Sequence, residues 1–193
     1  MLTIKYLIGV IAVLLTFVGY VPYIRDTIKG KTKPHVYSWF LWGFVTIIAF
    51  ALQVSGNAGI GSLVTLAAAL VSFVIFALGL RNGKKDITKA DTAFFIAALI
   101  AIVIWVFAKQ PVLSVILIST IEMLGFVPTV RKSWNKPHSE TLFTYALNAF
   151  RHGLSIFALQ RYSIVTWLYP VTWTLANGLF SIILLIRRRK LLV

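Results

Sequence analysis

The chain has 193 residues, of which 59% are hydrophobic and only 12% are charged. A soluble domain carries roughly 25% charged residues, whereas apolar runs of about 20 residues, long enough to cross a lipid bilayer, recur along this chain. The composition therefore excludes a soluble globular domain and indicates an all-α, multi-pass membrane protein, and the absence of cysteine excludes disulfides.

The formal net charge of +14 arises from basic residues that are concentrated in a few places. Most of the 19 Lys and Arg residues fall in four segments, Arg25–Lys33, Arg81–Lys89, Arg131–Lys136 and Arg187–Lys190. Short basic segments beside membrane helices are typical of cytoplasmic loops. This distribution accounts for the charge of the chain, and we expect no nucleic acid partner.

Seven membrane-spanning helices are predicted from the apolar runs. The run after Lys5 is longer than a signal-peptide core, so we interpret it as the first span. Breaker residues separate several of the following runs, at Ser55–Asn57, Asn82–Gly83 and Lys109–Pro111. The predicted spans are 4–24, 36–54, 58–80, 92–108, 111–130, 142–160 and 163–186.

The basic segments follow the first, third, fifth and seventh predicted helices. Alternation of the spans then places the N-terminus outside and the C-terminus in the cytoplasm. The predicted location is the plasma (inner) membrane, with the lipid bilayer as the solvent of the chain.

A sequence repeat divides the chain. A Gly-aromatic-Val-Pro motif ending in Arg occurs twice, each copy precedes Lys-Pro-His, and each is followed by a helix ending in Phe-Ala-Leu-Gln. The copies lie at Gly19–Arg25 and Gly125–Arg131, Lys33–His35 and Lys136–His138, and Phe50–Gln53 and Phe157–Gln160. A three-helix unit is therefore predicted twice, and such duplication is common in transporters.

The fourth predicted helix has no counterpart in the repeat. It restores the chain direction, so that the two units are parallel and related by an axis along the membrane normal. We predict a first unit at 1–80, a basic loop and linker helix at 81–110, and a second unit at 111–193.

This 3+1+3 arrangement, with its N-terminus outside, resembles the SWEET and PQ-loop superfamily of sugar and amino-acid transporters. The Gly-aromatic-Val-Pro motif, the following Arg, the basic loop and Ser38-Trp39 resemble the PQ-loop itself. The glutamine that follows the proline in the family stands as Tyr23 in the first copy and Thr129 in the second. The resemblance implies a carrier that works by alternating access.

Two pairs of residues are candidate hinges. Pro22 and Pro128 lack an amide donor and weaken the helix one turn earlier, and Gly19 and Gly125 precede them by three residues. The resemblance implies that these points gate the pathway. The alternative is that each proline marks a helix end.

Glu122 and Arg151 are a carboxylate and a strong base that fall inside predicted spans. A charge in the bilayer costs about 2.5–3.5 kcal/mol on insertion scales and should face the bundle interior with a partner. We predict that the two side chains pair between the fifth and sixth helices. A structural ion pair and a substrate or proton site remain alternative interpretations.

Polar and aromatic residues recur at helical spacing on four helices, and such stripes should face each other or water. The stripes are Trp39, Trp42, Thr46 and Gln53; Ser62, Thr65, Ala69 and Ser72; Thr144, Asn148, Arg151 and Ser155; and Thr166, Pro170, Trp173, Asn177 and Ser181.

The predicted substrate-binding residues are Trp42, Asn148, Arg151, Trp173 and Asn177. Asn177 resembles the pocket asparagine on the seventh helix of SWEET transporters. By contrast, Trp39 is expected to be an interfacial anchor, and His152 a packed helix residue.

The sequence therefore predicts a uniporter or proton-coupled carrier of a small polar solute, with Glu122 as the proton-binding group. The resemblance favours a sugar, while Arg151 admits an amino acid or an organic anion. A receptor or assembly protein of the same fold is the alternative from another class. We expect no enzymatic activity, cofactor or metal, and a homo-oligomer is left open.

Overall fold

The computed structural model describes residues 2–82, 87–107 and 110–190 of the chain. Within these residues it contains seven α-helices, one short 3-10 helix at Pro137–Ser139 and no strand. The α-helices are α1 (Leu2–Ile28), α2 (Val36–Ser55), α3 (Gly61–Asn82), α4 (Lys89–Phe107), α5 (Pro111–Asn135), α6 (Leu142–Ala158) and α7 (Ile164–Lys190). The predicted all-helical class is confirmed. Gly83–Asp86 of a predicted basic loop, and Lys109, lie outside the described residues.

Five of these helices, α1, α2, α3, α5 and α7, are long and apolar enough to cross a membrane. This supports an integral membrane protein, as composition predicts. Spanning by α4 and α6, and the orientation of the chain in the bilayer, remain predictions.

The helices extend further than predicted at the ends that carry basic residues. α1 continues to Ile28 and α5 to Asn135, so Pro22 and Pro128 lie inside helices rather than at their ends. A proline removes one backbone hydrogen bond, but the helix resumes after it. Cationic side chains also stabilise the last turn of a helix by interacting with its dipole.

The helix contacts have an internal symmetry. α3 packs against α1 and α2, while α7 packs against α5 and α6; the two three-helix groups meet where α1 packs on α6 and α5 on α2. This pattern is unchanged when α1, α2 and α3 are exchanged with α5, α6 and α7. It is consistent with the predicted duplication. α4 packs mainly against α5.

The outer faces of the helices carry many exposed apolar side chains, unlike the surface of a soluble protein. On α7 the apolar side chains of Leu175, Leu179 and Ile182 are exposed, while the polar side chains of Asn177 and Ser181 are buried. Lipid satisfies the first group but cannot hydrogen-bond the second, so this arrangement suits a helix bundle in a bilayer. All members of the four predicted polar and aromatic stripes are buried.

Three predicted basic segments gather at one end of the bundle, which we call the basic end: 25–33, 131–136 and 187–190. There the backbone N–H of Lys33 donates to Ser139 O at 2.9 Å. At the opposite end the N–H of Gln160 donates to Ala58 O at 3.1 Å. Each end therefore carries a backbone link between the two three-helix groups.

Candidate functional site

The candidate site is a cavity near the middle of the bundle, between the two three-helix groups. All five predicted substrate-binding residues line it: Trp42, Asn148, Arg151, Trp173 and Asn177. The other lining residues are Tyr20, Trp39, Thr46, Ala68, Ser72, Tyr145, His152 and Tyr169. The lining thus comes from α1, α2 and α3 on one side and from α6 and α7 on the other.

Aromatic rings form one wall of this cavity. The rings of Trp42 and Trp173 meet edge to face with centroids 5.4 Å apart, and Trp39 lies 4.9 Å from Trp42 in the same geometry. Trp39 is only 2% exposed, and its Nε1 donates to the hydroxyl of Tyr23 at 3.1 Å. The prediction that Trp39 is an interfacial anchor is therefore wrong, because its side chain faces the bundle interior rather than the lipid surface.

Arg151 is fully buried and is held by neutral groups. Its Nε donates to Asn148 Oδ1 at 2.8 Å, while its Nη atoms donate to Thr16 Oγ1 at 3.3 Å and to the Tyr20 hydroxyl at 3.2 Å. The guanidinium also lies 5.4 Å from the centre of the Tyr20 ring. α1 and α6 together hold this cation at the edge of the cavity.

Glu122 is fully buried where α5 meets α2 and α7, whereas Arg151 lies where α6 meets α1. Its Oε1 accepts hydrogen bonds from Thr46 Oγ1 at 2.7 Å and from the Tyr169 hydroxyl at 3.3 Å. Its Oε2 accepts from Trp173 Nε1, and Trp42 Nε1 donates to its backbone carbonyl at 3.3 Å. Three residues of the cavity lining therefore donate to the carboxylate, and a fourth, Trp42, donates to the backbone of the same residue.

The predicted ion pair between Glu122 and Arg151 is wrong. Among the described residues, Glu122 bonds only to neutral donors, and Arg151 to neutral acceptors. α5 and α6 make few direct contacts, and α7 packs against both of them. The repeat aligns Thr16 with Glu122, so the two charges stand at equivalent but separate interfaces.

Two buried polar atoms in the cavity lining have no hydrogen-bond partner within the described part of the chain. They are Asn177 Oδ1 and His152 Nδ1, on side chains that are 1% and 3% exposed. Such atoms are costly unless a ligand or water satisfies them. His152 also stacks on Trp173 with ring planes 19° apart, so it is a packed helix residue as expected, and it also lines the cavity.

Sequence reasoning missed the three tyrosines of the lining, Tyr20, Tyr145 and Tyr169. Tyr20 belongs to the repeated motif, and Tyr145 lies one position after Thr144 of the α6 stripe. The signal was weak because tyrosine suits both a lipid interface and a polar cavity. On α3, Ala68 and Ser72 reach the cavity, whereas Val71, which the repeat aligns with Asn177, is not part of the lining.

The candidate hinge glycines allow close approach between the two groups of helices. A β-carbon at Gly19 would lie 3.2 Å from Leu147 Cδ2 on α6, and one at Gly125 would lie 3.1 Å from Leu41 Cδ1 on α2. Thr144 Oγ1 also donates to Gly19 O at 2.7 Å. Both glycines therefore serve equivalent contacts, α1 with α6 and α5 with α2.

At the basic end, a cluster around Glu140, which is 1% exposed, joins the two groups of helices. Its Oε2 accepts from the hydroxyls of Tyr23 at 2.8 Å and Tyr145 at 2.9 Å, and its Oε1 pairs with Lys132. Tyr23 thereby links α1 to the second group. Thr129, which the repeat aligns with Tyr23, donates to Ser38 Oγ at 3.0 Å and links α5 to α2.

A second cluster at the basic end joins α4 to α5. Arg131 makes two hydrogen bonds to Asp91, at 2.8 and 2.6 Å. His35 Nε2 lies 3.4 Å from Asp91 Oδ2. Burial lowers the pKa of His35 to about 4, so at neutral pH this imidazole is uncharged, and among the described residues Arg131 is the cation that pairs with Asp91.

The cavity is narrow, with room for only about one water molecule. At the end opposite the basic end, Gln53 Nε2 donates to Thr166 O at 3.3 Å, across from α2 to α7. Hydrogen bonds therefore cross between the groups on both sides of the cavity, and a larger solute requires the helices to move.

No metal site is evident in the described part of the chain, where no three His, Asp or Glu side chains gather. A scan against protein-family models, a search of curated proteins and a search of solved structures each gave no match to this chain. Its function is therefore argued from the residues of the cavity.

Proposed function

We propose that this protein is a SWEET-like membrane carrier that moves a small polar solute by alternating access. The observation that carries the proposal is the cavity itself. It lies between two similarly packed groups of helices and is lined by buried hydrogen-bonding side chains and tryptophan rings. Pockets of this kind, mostly aromatic with a few convergent polar groups, are typical of small-molecule sites.

The contacts at the two ends of the bundle suit this mechanism. Tyr23, Glu140 and Thr129 cross between the groups at the basic end, and Gln53 and Thr166 do so at the other end. A carrier alternates by breaking one set of such contacts while the other set holds. For a carrier, contacts on both sides of the site would correspond to an occluded conformation.

The solute class follows from two separate considerations. The family resemblance implies a sugar, which would stack on Trp42 or Trp173 and hydrogen-bond to Asn148 and Asn177. The absence of an ion-pair partner for Arg151 among the described residues favours a solute with negative charge.

The test is substrate counterflow in proteoliposomes that contain the purified protein. Labelled hexoses, disaccharides, amino acids and small organic acids form the panel. We expect one class to accumulate with the wild-type protein and to be lost with Asn177→Ala. Thr120→Ala, which removes an exposed hydroxyl of α5 outside the cavity, is the matched control and should retain flux.

Binding of a solute without flux, by protein shown to be folded, would contradict the carrier and favour a receptor of the same fold. Equal flux through the wild-type protein and Asn177→Ala would contradict the placement of the site between the two groups.

A further inference from the structure

Arg151 is a buried cation whose charge is not balanced within the described part of the chain. Its three hydrogen bonds go to an amide oxygen and two hydroxyls. The described carboxylates are all bonded elsewhere: Asp26 to Arg25, Asp91 to Arg131, Glu140 to Lys132, and Glu122 to Thr46 and Trp173. None lies within ion-pair distance of Arg151.

An uncompensated charge is expensive in the interior of a membrane protein. Asn148, Thr16 and Tyr20 orient the guanidinium and partly solvate it, but they do not neutralise it. The guanidinium has five N–H donors in a planar fork, and three hydrogen bonds leave part of this fork free. A carboxylate fits such a fork with two parallel hydrogen bonds.

The same cavity presents two unsatisfied polar atoms, Asn177 Oδ1 and His152 Nδ1. An amide oxygen is only an acceptor, so it calls for a donor on the ligand; a ring nitrogen takes either role according to its tautomer. The lining therefore combines a cation on α6 with an acceptor on α7. A single solute that carries both a negative charge and a hydrogen-bond donor would satisfy Arg151 and Asn177 together.

We propose that this site binds a small organic anion in which a carboxylate is accompanied by a hydrogen-bond donor. The carboxylate pairs with Arg151, and the hydroxyl or ammonium group of the same molecule donates to Asn177. α-Hydroxy acids and α-amino acids share this chemistry. The inference rests on the proposed transport site and specifies its substrate class; a neutral sugar would leave the charge of Arg151 without a counterion.

The experiment measures binding in detergent, separately from transport. Trp42 and Trp173 line the cavity, so tryptophan fluorescence and thermal stability report on occupancy. L-Lactate and L-alanine are compared with acetate, with the neutral isostere L-lactamide and with glucose, at constant sodium chloride. We expect lactate, alanine or both to bind, acetate to bind more weakly, and lactamide and glucose to give no response.

Variants of Arg151 test the role of the charge. Arg151→Gln should weaken carboxylate binding by about 10- to 100-fold, as expected for lost hydrogen bonds to a charged group. Arg151→Lys keeps the charge but loses the fork and should be intermediate. Arg161→Gln removes an exposed cation that is not part of the cavity lining and should match the wild-type protein. If Arg151→Gln does not fold, the inference is tested by the binding of the same ligands to Arg151→Lys and to the wild-type protein.

The outcomes separate this inference from the proposed function. Carboxylate binding that depends on Arg151 but produces no flux would support the inference and overturn the carrier. Glucose or lactamide binding as well as the carboxylates, unaltered in Arg151→Gln, would overturn the inference and leave transport standing. No response to any carboxylate at millimolar concentration would also overturn it.

Discussion

At the residue scale, the two buried charges show what sequence reasoning reached and what it missed. Their inward direction followed from the cost of charge in lipid. Their partners did not follow, because the prediction placed α5 beside α6. In the structure Glu122 faces Thr46 and Trp173, while Arg151 faces Thr16 and Tyr20. Each charge therefore lies among its own neutral hydrogen-bonding partners, and the role of each can be tested separately.

We predict that Glu122 couples transport to protons. A carboxylate can gain and lose a proton during the cycle, whereas an amide of similar size cannot. Flux through the wild-type protein should therefore change with pH, and flux through Glu122→Gln should be independent of pH. The measurement is counterflow in proteoliposomes over a range of symmetrical pH values.

Asp26→Asn is the control for this prediction. It also removes a carboxylate, but Asp26 is bonded to Arg25 at the basic end of α1, so the pH profile should be retained. A wild-type flux that does not vary with pH would contradict proton coupling and leave Glu122 as a structural group that holds Thr46, Tyr169 and Trp173.

At the element scale, the spacing of polar residues in the sequence predicted which helix faces are buried. It did not predict where the helices end or where two helices come into close contact. The 3- and 4-residue spacing of polar side chains on α6 and α7 is a local property of a helix. By contrast, the prolines of α1 and α5 suggested helix ends, and both helices continue through them. The equivalent contacts at Gly19 and Gly125 depend on neighbours from distant parts of the sequence.

We predict different effects for alanine at two helical glycines. At Gly178 the nearest atom to a new β-carbon is Ala149 Cβ at 4.0 Å, so Gly178→Ala should stabilise the protein by up to about 1 kcal/mol through helix propensity. At Gly125 the methyl would press on Leu41, so the gain should be offset and flux should fall. Thermal unfolding in detergent and counterflow measure the two effects.

Gly178→Ala serves as the matched control, since it makes the same substitution inside a helix without the close contact. Equal stability and equal flux for the two variants would show that the contact between α5 and α2 tolerates a methyl group. That result would contradict a role for Gly125 as a closely packed hinge residue.

At the scale of the whole molecule, the exchange symmetry of the helix contacts suits a duplicated unit with a linker helix. The membrane orientation is a separate prediction that rests on the basic segments. Because the chain contains no cysteine, single cysteines can report it directly. Lys31, Lys136 and Arg161 are exposed positions on which such a test can be built.

We expect Arg161→Cys to react from outside intact cells with a membrane-impermeant maleimide. Lys31→Cys and Lys136→Cys should react only after permeabilisation, because both belong to basic segments that we place in the cytoplasm. The parent chain without cysteine gives the background. The reverse labelling pattern would contradict the predicted orientation with the N-terminus outside.

The sequence by itself determined the helical class, the membrane character, the inward faces of the helices and a set of residues that line one cavity. These properties depend on composition and on short-range spacing, which any segment carries within itself. Only the tertiary structure decided that Glu122 and Arg151 stand apart, that Trp39 and His152 line the site, and that hydrogen bonds cross between the two groups at both ends. Those properties depend on which helices become neighbours, and that is set by packing between segments far apart in the chain.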